Sequence, residues 1–454
     1  MSRESNAVED HLQSPVHLPN YWEILSKAGK RITDNKLRSA GKQYLTGGKS
    51  IMLSSGLPNQ KPLPIKKIQF TMSDGHEISL SDKEVSHANS YSLSEGITEL
   101  RDWLLGLHKL EHKPPQLTRK DHPEPFALTI TNGITDGIRT CFHMLLDEGD
   151  SVLMERETYS GTLTLLQLFA ASPIAVNTDE EGINAKDLEA IMSSWPEIHP
   201  HSKRPRVMYI TPACSNPTGY TWSEQNMVNV YKVCRKYEVI IIEDSAYYFL
   251  QFGERQRTFQ SIDVDGRVIR LDTFSKTIGA GYRLGWISGP STLTDRYVLS
   301  MSQNTAHPCV LSQIMINHIL QYWGYETFNK QMIYTSEIYR KNAEILASAL
   351  DKYLTGLATW SFPRGGMFMW LKINDIEDTS VIMREATQAG VSLISGDFFV
   401  PEFKSTCYIR LSFSMADMED IEQGIKIFAD VIKAKKSVFV TAHNNKLTES
   451  LAIR

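Results

Sequence analysis

Along this chain, short apolar runs alternate with longer stretches that repeat apolar residues every three or four positions. That order of strand and helix patterns predicts an α/β fold. Strand-like runs occur at Phe126–Thr131, Val152–Met154, Val207–Ile210, Val239–Ile242, Arg267–Leu271 and Leu284–Ser288. Between them lie amphipathic helix patterns: one uses Ile97, Leu100, Trp103, Leu104 and Leu107, and others cover Ile138–Leu146 and Glu224–Tyr237. After Pro290 the chain becomes mainly helical, and a long amphipathic segment, Glu326–Tyr353, leads into a second region. There Phe362–Leu371, Val391–Ile394 and Tyr408–Phe413 read as strands and Asp417–Lys433 as a helix, which predicts a smaller α+β domain. The expected division is 1–58, an N-terminal arm and the start of the small domain; 59–335, a large domain with a mostly parallel sheet flanked by helices; and 336–454, the C-terminal small domain.

Composition narrows the class of function. A chain of 454 residues with 41% apolar residues can bury sizeable cores, and a net charge of −4 offers no basic field to nucleic acid or an anionic membrane. Five scattered cysteines, with no closely spaced pair, predict neither a disulfide framework nor a zinc site. The histidines of the Pro-rich stretches 112–125 and 195–205 lack ligand spacing and are expected to face solvent, so no metal is predicted. The acidic first ten residues have no apolar core of the signal-peptide kind, and no run reaches the roughly 18 apolar residues that span a bilayer. A cytoplasmic location is the expectation.

Candidate chemistry gathers where predicted strands end. Lys276 follows the run Arg267–Leu271, with Thr273 and Ser275 just before it and Arg283 seven residues on, at the start of the next strand. A lysine amine that can condense with an aldehyde, two hydroxyls and a guanidinium suit a phosphorylated aldehyde cofactor. The turn Asn132–Gly137, between strand and helix, offers backbone N–H groups and a helix dipole to a phosphate. Asn216 stands in Asn-Pro-Thr-Gly after Val207–Ile210, with a neutral amide held in a rigid turn. Asp244 follows the strand Val239–Ile242, and Tyr247 lies three residues on. Arg410 interrupts an otherwise apolar strand, a costly placement that a ligand carboxylate would relieve. The Gly-x-Gly at Gly279–Gly281 runs into a strand and breaks the dinucleotide spacing, so a nucleotide-binding turn is not expected there.

These motifs, in this order from about Ser54 to Ile432, resemble the fold-type I pyridoxal-phosphate enzymes. More narrowly they resemble class I aminotransferases of the kynurenine/2-aminoadipate and fungal aromatic group. The resemblance implies a seven-stranded sheet, pyridoxal 5'-phosphate, amino acid and 2-oxo acid substrates, and a homodimer with shared sites. It assigns Lys276 to the covalent link and proton transfer, Asp244 to the ring nitrogen, and Tyr247 and Asn216 to the ring's phenolic oxygen. Tyr159 would stack on the ring, while Thr273, Ser275, Arg283 and the turn at Ile134 and Thr135 would hold the phosphate. Gly56, Asn216 and Arg410 would meet the substrate carboxylate, and Tyr91 would reach across the dimer. The family usually has Ser-Gln where Ile134 and Thr135 stand, and Asp-Pro where Ser245 and Ala246 stand. The same cofactor site would also serve a lyase acting by β-elimination or C–S cleavage, or a non-catalytic cofactor-binding protein.

Overall fold

The computed structural model describes residues 3–34, 56, 58–401, 403–415 and 417–452. Its largest sheet has seven strands: β1 (Phe126–Thr131), β2 (Ser151–Glu155), β3 (Ser172–Val176), β4 (Val207–Ile210), β5 (Ile240–Asp244), β6 (Val268–Thr273) and β7 (Gly285–Pro290). Their spatial order is β1-β7-β6-β5-β4-β2-β3, and only β7 runs antiparallel to its neighbours. Every residue of β4, β5, β6 and β7 is buried, as a sheet covered on both faces requires. The charges in β6 survive burial by pairing: Arg270 donates to both oxygens of Asp272 at 2.8 Å and to Glu243 Oε1 at 3.0 Å.

Among the covering helices are α1 (Arg3–Leu12), α2 (Thr98–Glu111), α3 (Ile134–Leu145), α4 (Ser160–Leu168) and α5 (Glu224–Lys236). The predicted inward positions of α2 are all buried, including Leu100 and Leu104 at 0% exposure. Then α6 (Val310–Leu354), interrupted at Gly324 where φ is 60°, carries the chain to the second region. There β8 (Ala358–Trp360), β9 (Phe368–Ile373), β10 (Ile394–Ser395) and β11 (Tyr408–Ser412) form an antiparallel sheet of order β8-β9-β11-β10. Its core joins Leu346 and Leu350 of α6 with Met369, Leu371, Ile409 and Leu411, and with Phe428 and Ile432 of α7 (Met418–Ala452).

Several elements differ from the sequence pattern. The helix expected from Ile138 starts at Ile134, because Gly133 alone, at φ 79°, makes the turn. The stretch 112–125 contains a short helix, Pro115–Thr118, and His112 is only 1% exposed, packed edge-on against Tyr248 at 4.8 Å. Its predicted solvent exposure is therefore corrected: aromatic packing outweighs the polarity of its neighbours. Trp195 likewise lies in the last turn of a helix, Ala185–Ile198, rather than opening a loop. The described part of the N-terminal region packs on its own chain, with Tyr21 donating to Gly266 O at 2.7 Å and Ser26 to His143 O at 2.8 Å. Residues 35–55 of that region, including Ser54, lie outside the described residues. No helix among the described residues is long and apolar enough to cross a membrane, and they contain no cluster of three or more His, Cys, Asp or Glu able to hold a metal ion.

Candidate active site

The carboxyl ends of β1, β4, β5 and β6 all open on the same edge of the sheet, since these four strands run parallel to one another. That edge is where an α/β sheet leaves room for a ligand. Gly133, Asn216, Asp244 and Lys276 stand at or just beyond those four ends.

The β6–β7 connection is a tight loop rather than a crossover helix. Phe274 N donates to Leu284 O at 3.1 Å, and the amides of Thr277, Ile278 and Gly279 all turn back to Phe274 O at 3.2, 2.9 and 3.0 Å. This wide helical turn, Ser275–Gly279, presents Lys276 half-buried. Thr273, 4% exposed, stitches the loop shut: its Oγ1 lies 2.9 Å from Ser275 Oγ and 3.1 Å from Leu284 O, and accepts from Ser275 N at 3.1 Å. The loop ends at Arg283, whose backbone is left-handed at φ 52°. That bend sends the guanidinium to the start of α3, where a Cβ added to Gly133 would stand 2.7 Å from Arg283 Nη2. No side chain caps α3, so its leading N–H groups, beside this guanidinium, have no side-chain partner. Ile134 is half-buried against the core and Thr135 is exposed, the first two residues of that helix.

Asp244 ends β5 at 4% exposure. Its Oδ2 accepts from the Tyr209 hydroxyl at 2.6 Å and its Oδ1 from Ala246 N at 3.2 Å. Burial lifts this carboxyl to about 6, against the pull of the Tyr209 bond. Tyr159 caps α4 beside it, and its ring is pressed against Gly161, where a Cβ would meet ring carbon Cε1 at 2.5 Å. Tyr247, 7% exposed, packs edge-on to Phe368 at 5.8 Å; burial and the neighbouring Asp244 push its phenol upward, while Arg410 and Asn216 act the other way.

Asn216, 5% exposed, accepts from Arg410 Nη1 at 2.8 Å through Oδ1, which leaves its amide nitrogen to donate. Arg410 comes from β11 in the other sheet, opposite Trp370. Its guanidinium lies between the Phe368 ring at 4.2 Å and the Phe399 ring at 4.8 Å. Among the described residues, Arg410 Nε is buried with no hydrogen-bond partner, as are the hydroxyl oxygens of Thr158, Ser215 and Ser245. Unpaired polar groups gathered around Tyr159, Asn216 and Asp244 mark a place built for a polar ligand.

Two predicted residues stand apart from this cluster. Tyr91 is 63% exposed, ahead of α2 rather than on it, with His307 5.9 Å away edge-on. Gly56 is exposed, and a Cβ there would meet nothing within 4 Å. Sequence reasoning missed Tyr209, Phe368 and Phe399. A tyrosine inside a fully apolar strand was the available signal, because its buried hydroxyl must find an acceptor.

The residues present fit pyridoxal phosphate. The Gly133–Arg283 cradle admits a phosphate only because Gly133 lacks a Cβ, Lys276 supplies an amine, and the buried Asp244 supplies a carboxylate for a protonated ring nitrogen.

Comparison with known proteins agrees with this geometry. The mitochondrial kynurenine/alpha-aminoadipate aminotransferase of Mus musculus is 38% identical over 389 residues, 84% of this chain and 92% of that protein. An aromatic amino acid aminotransferase of Schizosaccharomyces pombe is 30% identical, covering 85% of this chain and 90% of its own. The crystal structure of the Candida albicans aminotransferase Aro8 superposes with a TM-score of 0.82 at 22% identity, over 92% of this chain and 99% of that one. The model of the family "Aminotransferase class I and II" matches residues 57–428, and the chain belongs to that family of pyridoxal-phosphate enzymes, which move an amino group between an amino acid and a 2-oxo acid.

Proposed function

We propose that this aminotransferase acts on amino acids with aromatic or similarly long side chains. The observation that carries this reading is Arg410, wedged between Phe368 and Phe399 with Nε unpaired beside Asn216. A guanidinium so placed takes an α-carboxylate, and the two rings leave an apolar wall for the rest of the substrate. Relatives named for kynurenine, alpha-aminoadipate and aromatic amino acids support the same range.

Pyridoxal phosphate, when bound, supplies the carbonyl that captures the amine and the ring that draws electrons from the substrate's Cα. Lys276 Nζ would hold the cofactor at rest and, once displaced by the substrate amine, would carry the proton from substrate Cα to the cofactor's C4′ carbon. Asp244 would keep a proton on the ring nitrogen, Tyr247 and Asn216 would donate to the phenolic oxygen, and Tyr159 would cover one ring face. Arg283, Ser275 and the amides of Ile134 and Thr135 would bind phosphate, whereas Thr273, expected to join them, has its hydroxyl taken up by Ser275 Oγ and Leu284 O and shapes their loop. Arg410, Asn216 and Gly56 hold the carboxylate and so aim the Cα–H bond at Lys276.

We read the working unit as a homodimer, as the family resemblance implies, with Tyr91, 63% exposed in a single copy, available to reach the other subunit's site. The division at 59–335 and 336–454 is supported by separate cores, one reaching Met332 and the other starting near Ala343. All five cysteines are free, in keeping with a reducing compartment; the cytosol is our reading, and fractionation against mitochondrial markers tests it.

The substrate reading is tested by incubating the enzyme with aromatic, 2-aminoadipate and short aliphatic donors, using 2-oxoglutarate or phenylpyruvate as acceptor. Aromatic or long donors should give equimolar oxo acid and new amino acid at the highest kcat/KM. A preference for alanine or valine would overturn the reading, and release of ammonia with pyruvate would indicate elimination instead.

A further inference from the structure

The buried face of the large sheet holds one hydroxyl that the reading above leaves without work. Tyr209 lies in β4 opposite Ile242 of β5, and residues two apart on a strand share a face, so its ring points diagonally toward Asp244. Its hydroxyl is 2.6 Å from Asp244 Oδ2, with the ring at 0% exposure and Phe142 packed edge-on at 6.4 Å. The other carboxylate oxygen has only the longer 3.2 Å contact with Ala246 N.

We propose that Tyr209 is the positioning residue of the ring-nitrogen acid: its hydroxyl fixes the rotation of the Asp244 carboxylate and so aims one oxygen at the ring nitrogen. The proposal rests on the assignment of Asp244 to that nitrogen. Two lines support it. Among the described residues, Tyr209 is the only side chain with a hydrogen bond to this carboxylate within the chain. Its direction is also fixed, since burial and the adjacent carboxylate hold the phenol far above its ordinary value and make it a permanent donor. The remaining charged and titratable groups around Asp244 come from elsewhere: Arg270 and Asp272 from β6, Glu155 from β2, and Tyr159 and Tyr247 from the loops. None of these makes a hydrogen bond to the carboxylate. They set its charge environment, whereas Tyr209 sets its orientation.

The test uses Tyr209→Phe, which removes one oxygen and keeps the buried ring. The apoenzyme is titrated with pyridoxal phosphate and with the analogue whose ring nitrogen is replaced by C–H, and the ratio of the two dissociation constants is read. Wild type should favour the nitrogen-bearing cofactor. Tyr209→Phe should cut that preference about tenfold, the worth of one charge-assisted hydrogen bond, while binding of the analogue stays within about twofold. In the loaded enzyme kcat should fall more than KM, and the acid limb of the kcat profile should move to higher pH, because the lost bond favoured the charged carboxylate. Equal weakening of both ligands would overturn the proposal, since that is what general damage to β4 produces; so would an unchanged preference. Asp244→Asn, run beside it, separates the two levels. If Asp244→Asn also leaves the preference intact, the ring-nitrogen assignment itself fails. If it abolishes the preference and Tyr209→Phe does not, only the role of Tyr209 fails. Tyr209→His, which keeps a ring N–H donor, provides a second reading of the same ratio should the Phe variant not accumulate, with part of the preference expected to return.

Discussion

The floor of the site and its rim are built on opposite principles. At the floor, Asp244, Tyr209, Asn216 and Arg410 are buried or half-buried and bonded to one another or to their own backbone. At what we read as the rim, Tyr91 and Gly56 stand in the open, Tyr91 edge-on to His307. The floor is preorganised by sheet register, because residues at neighbouring strand ends fall side by side whether or not a ligand is present. Side chains at the rim acquire a task only when something else arrives. Charge stabilisation that must be ready before reaction therefore belongs on the strands, and substrate closure belongs on the loops.

The largest effect should come from Lys276, the residue proposed to bond the cofactor. Lys276→Ala should cost at least roughly a thousandfold in turnover, the scale of a lost acid–base group with a covalent role added, and abolish the absorbance of lysine-bound cofactor. Borohydride reduction and peptide mapping check the site directly, and a label on another lysine would reassign it.

Asp244→Asn comes next and should act in opposite directions on activity and stability. Turnover should fall by roughly 10²–10³, because the ring loses the charge that keeps its nitrogen protonated. Stability of the apoenzyme should rise. The folded carboxyl sits near 6, above its ordinary 3.8, so the folded state holds its proton more tightly and loses stability as pH climbs between those values. At pH 7.5 that penalty is complete, about 3 kcal/mol, and below about pH 3 it vanishes. Chemical denaturation of both apoproteins at several pH values should show the variant's advantage growing with pH; a constant difference would mean the shift is absent.

Arg410→Ala should lower kcat/KM for amino acids about tenfold to a hundredfold and leave simple amines unaffected, since they carry no carboxylate to clamp. Uniform loss across both would make Arg410 a support of the small sheet.

At the rim, Tyr91→Ala should give the smallest change, about a few-fold to tenfold, one hydrogen bond's worth. Its sharper test is mixing: subunits carrying Tyr91→Ala combined with subunits carrying Lys276→Ala should regain activity if Tyr91 serves its neighbour. No recovery would place Tyr91 in its own chain's site and erase the difference between floor and rim.

Much of the floor was legible in the sequence because it is a strand-end property. Lys276, Asp244 and Asn216 each follow an apolar run, and a run long enough to be buried fixes where its polar successor emerges. For Tyr209 the sequence offers only half the signal: a hydroxyl within the apolar run Val207–Ile210 needs an acceptor, but only the pairing with Ile242 reveals which one it meets. His112 was misread for the reverse reason, as its polar and proline neighbours hide the aromatic surface of Tyr248 and His108 that buries it. The start of α3 was placed four residues late because Ile134 and Thr135 looked like turn, yet Gly133 alone reverses the chain. Residue pattern reports which side chains leave water. Which of them meet is decided by register.

The antiparallel β7 has a consequence for how this protein can vary. In a parallel neighbour, the segment after β6 would travel through a crossover helix, and its length could drift without moving its ends. Here Lys276 and Arg283 share one loop pinned at both ends by the Thr273–Gly285 pairing. An insertion or deletion anywhere in Thr277–Tyr282 would change the span between amine and guanidinium at once, with no second segment to absorb it. Loops elsewhere on the surface can lengthen during divergence, but this one has a fixed count of residues, and new specificities must be written around it.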